Sequence, residues 1–313
     1  MKKIILMFAA VVMAAGVMSA QDINQATESY NNGAMELQMG NNEAAIENFQ
    51  AALTMGEALG DEGADLVANC KKAIASATLS MAKDLYNAKD FEGAAAAFVK
   101  AKEVAEGYGE TEIAEEAAEL VNQANALKFN TEGKAAMKAK DFPTAISCFT
   151  KVLELDPTNG ATAVQLGQAY MNAGQLDEAI TALENAMANG QEKNAAKILS
   201  NVYLKKAQAS NKAKKYEEVL DYAAKSNQYL ENANAYRFAA GAAQQLGKNA
   251  DCIANYEKYL ELSPNAKDAG GVKFTIAALY QQAGDKAKAK EYYQAVATDP
   301  QYGASAQEQL KTL

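Results

Sequence analysis

The stretch that decides the fold runs from Gly133 to Met187 and reads GKAAMKAKDFPTAISCFTKVLELDPTNGATAVQLGQAYMNAGQLDEAITALENAM. Within it a pattern of small and large apolar residues returns after 34 residues, so that Phe149 is followed by Leu183. A repeat of this length, made of two helix-sized segments joined by a turn, is typical of stacked helical hairpins. Because one such hairpin cannot cover its own apolar face, the pattern predicts an array in which each hairpin packs against its neighbours.

The same pattern continues on both sides of this stretch. Weaker copies contain Phe49 and Phe98 toward the N-terminus, and Val219, Tyr256 and Tyr293 toward the C-terminus. The sequence therefore predicts seven hairpins, followed by a short helix over residues 304–310 that would cap the array.

The first copies are spaced more widely than the central ones. Between them, apolar residues keep three- and four-residue spacing, which indicates one continuous amphipathic helix over residues 63–89 and a second before residue 133. We therefore expect lengthened first helices in the early hairpins. We also expect a division of the mature chain near residue 125, into long-helix hairpins over 21–125 and a regular array over 126–313.

These residues resemble the tetratricopeptide repeat family, most clearly in the copy that contains Leu166, Gly167, Tyr170, Ala179 and Leu183. The resemblance implies an all-α fold, an α-solenoid wound as a right-handed superhelix. Small residues such as Gly167 and Ala179 are expected where two antiparallel helices cross closely, because a larger side chain would force the helix axes apart.

The N-terminus has the pattern of a secretory signal peptide. Lys2 and Lys3 precede an apolar run over 4–18, and Ser19 and Ala20 supply small residues at the junction. We expect residues 1–20 to be removed, with cleavage after Ala20 or, alternatively, after Ser19. The run is short for a membrane anchor and no cysteine follows it, so the sequence predicts an exported protein, periplasmic or secreted, that is not a lipoprotein and keeps no integral membrane segment.

Composition argues against several classes of function. The formal net charge of −9 disfavours nucleic acid as a partner, because an acidic chain repels phosphate backbones. The chain has no histidine and no recognised catalytic motif, so we expect no enzymatic activity and no cofactor or metal. The three cysteines, Cys70, Cys148 and Cys252, are far apart and are expected to be small buried apolar residues.

The resemblance also implies a candidate site. In the tetratricopeptide repeat family the first helix of each hairpin lines a concave groove that binds peptides or protein segments. Carried over by register, the lining residues would be Asn130, Lys134, Met137, Lys138, Gln168, Met171, Asn172, Gln208, Asn211, Lys212, Arg237, Gln244, Gln245, Phe274, Gln281 and Gln282. This set is rich in amides, which both donate and accept hydrogen bonds and therefore suit an extended backbone or a sugar hydroxyl.

Two functions follow from such a surface. The first is a scaffold or adaptor of the bacterial cell envelope that binds another envelope protein or a peptide segment. The second is a protein that binds glycans or peptidoglycan fragments, since the chain resembles exported repeat proteins of Bacteroidota, which include glycan receptors. Sugar sites usually stack rings on tryptophan and this chain has none, so we favour the scaffold. Self-association remains open.

Overall fold

The computed structural model describes residues 20–313, which form fifteen α-helices and one short 3₁₀ helix without any strand. The predicted signal peptide, apart from its last residue Ala20, lies outside the described residues. The helices are α1 (Ala20–Gln38), α2 (Asn42–Ala58), α3 (Ala64–Asn87), α4 (Phe91–Tyr108), α5 (Thr111–Ala139), α6 (Phe142–Leu155), α7 (Gly160–Ala173), α8 (Leu176–Ala188), α9 (Glu192–Lys212), α10 (Tyr216–Tyr229), α11 (Ala233–Gln245), α12 (Asn249–Leu262), α13 (Ala269–Gln282), α14 (Lys286–Ala295) and α15 (Gly303–Leu310).

The helices follow one another as seven antiparallel pairs and a final single helix, which confirms the predicted all-α array of hairpins with a terminal helix. The lengthened first helices are also confirmed, because α3 has 24 residues and α5 has 29, whereas α7 has 14. The segment Gly60–Gly63, which precedes the second hairpin, forms the 3₁₀ helix.

Helix α9 is also long, and its length was not predicted. It has 21 residues, against 14 in α7 and 13 in α11. The additional turns account for the wider sequence spacing between Gly167 and the equivalent Ala207, which weakens the repeat pattern there.

The chain divides into two compact units between Lys128 and Phe129. The core of unit 1 contains Phe49, Ile74 and Phe98, and each of these side chains is almost completely buried. The core of unit 2 is a series of apolar clusters along the helices from α6 onward, in which Phe149 and Leu183 are fully buried.

Glycine allows the two helices of a hairpin to approach closely. A Cβ atom on Gly133 of α5 would lie 2.7 Å from the ring of Phe149 on α6, so a larger residue would force this ring or the helices to shift. On the opposite helices of successive hairpins, the small residues Ala145 and Ala179 are completely buried. The predicted role of small residues at helix crossings is therefore confirmed.

Every hairpin turn places one residue in the left-handed backbone region. Four turns use glycine, and the other three use lysine, at φ 63° for Lys89, 61° for Lys140 and 58° for Lys214. In several cases an aspartate directly precedes the next helix and caps it. The Asp141 carboxylate, for example, accepts a hydrogen bond from the backbone N–H of Thr144 and so caps α6.

The three cysteines are buried and unpaired, as predicted. Over residues 20–313, every helix is too short or too polar to cross a membrane.

Candidate binding groove

A groove of about 570 Å³ lies within unit 2 beside α9, α11 and α12. Helix α9 contributes Leu204, Lys205, Gln208 and Asn211 to its walls, helix α11 contributes Asn234, Arg237, Phe238 and Gly241, and helix α12 contributes Tyr256. We refer to this set of nine residues as the unit 2 groove.

Helical periodicity explains why these side chains share one face. On α11 the groove residues recur at three- and four-residue steps, which place side chains above one another on a helix. The intervening residues Ala235, Ala239 and Ala242 are buried and pack the opposite face of α11 against its neighbours. Packing of the alanine face therefore fixes the direction in which the groove residues point.

Three of the predicted site residues come together in the unit 2 groove. Gln208 and Asn211 from α9 lie on one side, and Arg237 from α11 lies on the other. The sequence reasoning missed Lys205, and it missed Tyr256 because it sought lining residues only on first helices, whereas Tyr256 lies on the second helix of its hairpin. Asn234 could have been predicted from the sequence, because it lies three residues before Arg237 and therefore on the same face of the helix.

Two cations, Lys205 and Arg237, are among the residues that line the groove. No aspartate or glutamate is among the residues that line it, although the chain has 39 acidic residues. Lys205 is exposed and forms no ion pair with a described residue. Arg237 is held in place by Asp268, whose Oδ2 atom lies 2.7 Å from the Arg237 Nε atom.

Asp268, the ion-pair partner of Arg237, also accepts a hydrogen bond. The Tyr259 hydroxyl donates a hydrogen bond of 2.6 Å to the other carboxylate oxygen of Asp268. The closest contact of this ion pair is made by the Nε atom of Arg237, and the guanidinium is largely exposed. The exposed guanidinium can therefore also donate hydrogen bonds to a ligand.

Tyr256 supplies a neutral hydroxyl to the groove. Burial raises the pKa of this phenol, and among the neighbouring groups Cys252 and Asp268 raise it further while Arg237 lowers it. The hydroxyl therefore stays protonated near neutral pH, where it can donate or accept a hydrogen bond.

Two predicted site residues belong to the packed interior instead. Met171 is only 9% exposed and packs in the cluster that contains Leu199 and Val202, so its prediction as a surface contact was wrong. Phe274 is half-buried, and its ring packs against Tyr293 and Tyr302 at centroid distances of 5.3 and 5.7 Å. Both side chains stabilise the array.

Several predicted amides already bond within the protein. Gln168 donates from Nε2 to Asn172 Oδ1 at 3.2 Å. Gln281 accepts from the Tyr293 hydroxyl at 2.9 Å, and Gln282 accepts from an amide of α12 at 3.3 Å. These hydrogen bonds within the protein account for the polar residues at these positions, so no ligand is needed to explain them.

The remaining predicted residues lie outside the unit 2 groove. Asn130 is half-buried and donates weakly, at 3.5 Å, to the Thr162 hydroxyl, while its Oδ1 atom is buried without a partner. Met137 is half-buried against the cluster around Phe149. The exposed members are Lys134, Lys138, Lys212, Gln244 and Gln245.

Unit 1 contains a separate cavity of about 450 Å³ at the start of α2. Asn42 donates from Nδ2 to Asp84 Oδ2 at 2.7 Å there, while the Asn42 Oδ1 atom is buried without a partner. No group of three or more potential metal ligands (Cys, Asp or Glu) occurs in the part of the chain that the structure describes.

Comparison with known proteins identifies repeats in two segments. Tetratricopeptide repeat models match residues 136–202 and residues 272–301, and the unit 2 groove lies in the sequence between them. The chain therefore carries tetratricopeptide repeats, as its sequence pattern indicated.

Curated relatives match only a short part of the chain. Hsp70-Hsp90 organizing protein of Triticum aestivum is 39% identical over 69 residues, which are 22% of this chain and 12% of that protein. Hsp70-Hsp90 organizing protein 3 of Arabidopsis thaliana is 34% identical over 67 residues, or 21% and 12%. The chain thus spans about an eighth of the length of these relatives.

Solved structures resemble the chain at low identity. MamA aligns with a TM-score of 0.39 and 21% identity over 58% of this chain and 94% of its own. YrrB, a tetratricopeptide repeat protein with an unusual peptide-binding site, aligns with a TM-score of 0.37 and 16% identity over 60% and 92%.

Proposed function

We propose that this protein is a non-enzymatic scaffold of the bacterial cell envelope, which binds a segment of another protein in the unit 2 groove. One observation carries the proposal. Gln208, Asn211 and Arg237, chosen as ligand contacts from the repeat register alone, converge on one groove from two successive first helices.

The chemistry of the groove suits an extended polypeptide. The amides of Gln208, Asn211 and Asn234 can donate to carbonyl oxygens and accept from N–H groups along a main chain. Leu204 and Phe238 add apolar surface for a side chain of the ligand. Grooves lined by apolar groups with a few placed polar groups are typical of binding sites.

The matched repeats support the same class of function. Tetratricopeptide repeats act in protein–protein interaction, and the curated relatives are named for organising two other proteins. For this chain we propose only the general activity, namely that it holds a partner protein by one segment.

The envelope setting rests on the N-terminal pattern of Lys2, Lys3 and the apolar run over 4–18. Fractionation of bacterial cells that express the tagged protein tests it. We expect the mature chain in the periplasm or medium. Its measured intact mass should match a chain that begins at Gln21 or at Ala20. A full-length chain in the cytoplasmic fraction would overturn this part of the proposal.

Photo-cross-linking in intact cells tests the binding function. A photoreactive amino acid at Asn211 of the unit 2 groove should capture a defined partner protein. The control carries the photoreactive amino acid in place of Lys193, which is exposed on α9 but lies outside the groove. Equal capture from both positions, or none from Asn211, would contradict the scaffold.

Calorimetric titration with an oligosaccharide panel addresses the other class of ligand. Saturable binding of a glycan, together with no protein captured at Asn211, would replace the scaffold with a glycan-binding protein. We expect no heat of binding beyond dilution.

A further inference from the structure

Asn42 of unit 1 is a buried polar residue whose hydrogen bonding is incomplete. It is the first residue of α2 and is only 7% exposed. Its Nδ2 atom donates to Asp84 Oδ2 of α3 at 2.7 Å, whereas its Oδ1 atom is buried and has no hydrogen-bond partner among the described residues. Because an ionised carboxylate only accepts hydrogen bonds, the contact with Asp84 fixes the orientation of the amide and leaves Oδ1 unpaired.

An unpaired buried acceptor lowers stability, because the atom loses its hydrogen bonds to water and gains no other donor. Most buried polar groups of folded proteins are therefore paired. A ligand that donates a hydrogen bond to Asn42 Oδ1 would complete the hydrogen bonding of this side chain.

Asn42 lines the cavity of about 450 Å³ in unit 1. Residues 40–44, where α1 turns into α2, form one side of this cavity, and Met81 and Asp84 of α3 form the other. We refer to these residues as the unit 1 cavity. Ligand sites usually measure about 300–1,000 Å³, so the unit 1 cavity has room for a small molecule or for a side chain of another protein.

The unit 1 cavity is negatively charged. Glu43 and Asp84 contribute carboxylates, and no lysine or arginine is among the residues that line it. Neither carboxylate forms an ion pair with a described residue. The start of α2 adds only about half a positive charge, which the two carboxylates exceed. Acidic residues also outnumber lysines by more than two to one over residues 21–128, and their summed field attracts cations.

A primary ammonium group fits these acceptors better than a metal ion does. An ammonium carries three N–H donors, one for Asn42 Oδ1 and the others for the carboxylates of Glu43 and Asp84. Calcium instead requires about six to eight oxygen ligands. No group of three or more metal-ligating side chains occurs over the described residues. Met81 and Ala44 supply apolar surface for the alkyl chain that carries the ammonium.

We propose that the unit 1 cavity binds a primary alkylammonium group, which donates to Asn42 Oδ1 and pairs with Asp84 and Glu43. The ammonium can belong to a lysine side chain of a partner protein or to a free aliphatic polyamine. The unit 1 cavity shares no residue with the unit 2 groove, so this inference does not depend on the function proposed for that groove.

Nuclear magnetic resonance titration of the isotope-labelled mature chain tests the inference. The side-chain amide of Asn42 and the backbone amide of Gly40 report on the cavity. The probes are spermidine, Nα-acetyl-lysine methylamide and, as the neutral control of the same shape, Nα-acetyl-norleucine methylamide. At about 0.15 M salt, which screens non-specific attraction, we expect saturable shifts with both amines and none with the norleucine derivative.

The two amines identify the source of the ammonium. Binding of spermidine more than about tenfold tighter than the lysine derivative would assign the site to a free polyamine. Binding of the lysine derivative within that factor would assign it to a lysine of a partner protein. Both results support the inference.

Charge variants locate the site. Asp84→Asn and Glu43→Gln should each weaken binding of the amines by about tenfold, as expected for loss of one charge-assisted hydrogen bond. Glu47 is exposed on α2 outside the cavity, and Glu47→Gln removes the same charge as Glu43→Gln. This control should leave binding unchanged. Equal weakening by all three variants would show only general attraction to acidic unit 1 and would overturn the site.

Asn42→Leu separates binding from folding. Leucine has nearly the shape of asparagine and lacks the unpaired acceptor, so the melting temperature should stay the same or rise. Binding of the amines should weaken by about tenfold. If this variant does not fold, Asp84→Asn carries the test, because Asp84 is exposed.

Three results would overturn the inference. The first is absence of saturable shifts with both amines, and the second is unchanged binding by folded Asn42→Leu. The third is displacement of the amines by calcium chloride with saturable shifts of the same reporters, which would assign the cavity to a metal ion.

Discussion

Gly167 of α7 and Leu183 of α8 lie in direct contact at the crossing of their two helices. A Cβ atom on Gly167 would lie 2.5 Å from Leu183 Cγ and 3.3 Å from the carbonyl oxygen of Ala179. The same relation recurs at Gly33 with Phe49. This contact sets how closely the two helices of a hairpin approach each other.

Gly167→Ala should lower the free energy of unfolding by about 1–2 kcal/mol, because overpacking outweighs the gain in helix propensity. Urea unfolding measures the change. Gly107→Ala introduces the same methyl group into open space and should be neutral or slightly stabilising. Similar effects of the two substitutions would contradict the close crossing.

Ala179→Leu tests the other side of the same crossing. Ala179 is completely buried, so the larger side chain should cost about 1–3 kcal/mol of stability. Ala188 lies exposed on the same helix, and Ala188→Leu should change stability little. Equal melting temperatures for the two variants would show that the assigned register is wrong.

Lys140→Gly should stabilise the protein. Lys140 adopts φ 61°, a conformation that favours glycine because a Cβ atom crowds the backbone there. We expect a gain of about 0.5–1 kcal/mol in chemical unfolding, after allowance for the greater freedom of the unfolded glycine chain. Lys138→Gly, two residues earlier within α5, should instead destabilise the helix. A loss of stability on both substitutions would contradict the turn geometry.

Alkaline pH should destabilise the fold partly through Cys252. Burial raises the pKa of this thiol from 9.0 to about 11. Between pH 9 and 11 the unfolded chain therefore binds fewer protons than the folded chain, so the free energy of unfolding falls as pH rises.

Cys252→Ala removes that contribution and should show a shallower loss of stability over the same pH range. Alanine already occupies the equivalent position in other repeats, such as Ala179, so the variant should fold. The buried tyrosines other than Tyr256, whose pKa Cys252 itself raises, affect both proteins alike. Parallel pH profiles for the two proteins would contradict the role of the thiol.

Most of the fold could be predicted because repeat packing is local. Residues such as Phe149 and Leu183 contact helices close to them in sequence, and their spacing therefore identifies the hairpins directly. The length of α9 escaped prediction because its extra turns keep the same helical periodicity, so the wider spacing of the repeats did not show which helix is longer.

The candidate site was only partly predictable. Three of the residues chosen by register, Gln208, Asn211 and Arg237, line one groove, since side chains at fixed helical steps share a face. Register failed for Met171, which lies at the edge of the exposed face and turns into the core beside Leu199. The repeat register could not predict the contact of Asp268 with Arg237, because Asp268 lies in the segment before α13 and not on a first helix.

The mainly nearest-neighbour packing of helices in unit 2 has a mechanical consequence. Tension applied at the two ends of this unit would pass from hairpin to hairpin in series, because few contacts bridge distant hairpins. We expect such tension to extend the unit in a sequence of small steps. A partner held in the groove between α9 and α11 would brace the hairpins on either side of it against that extension.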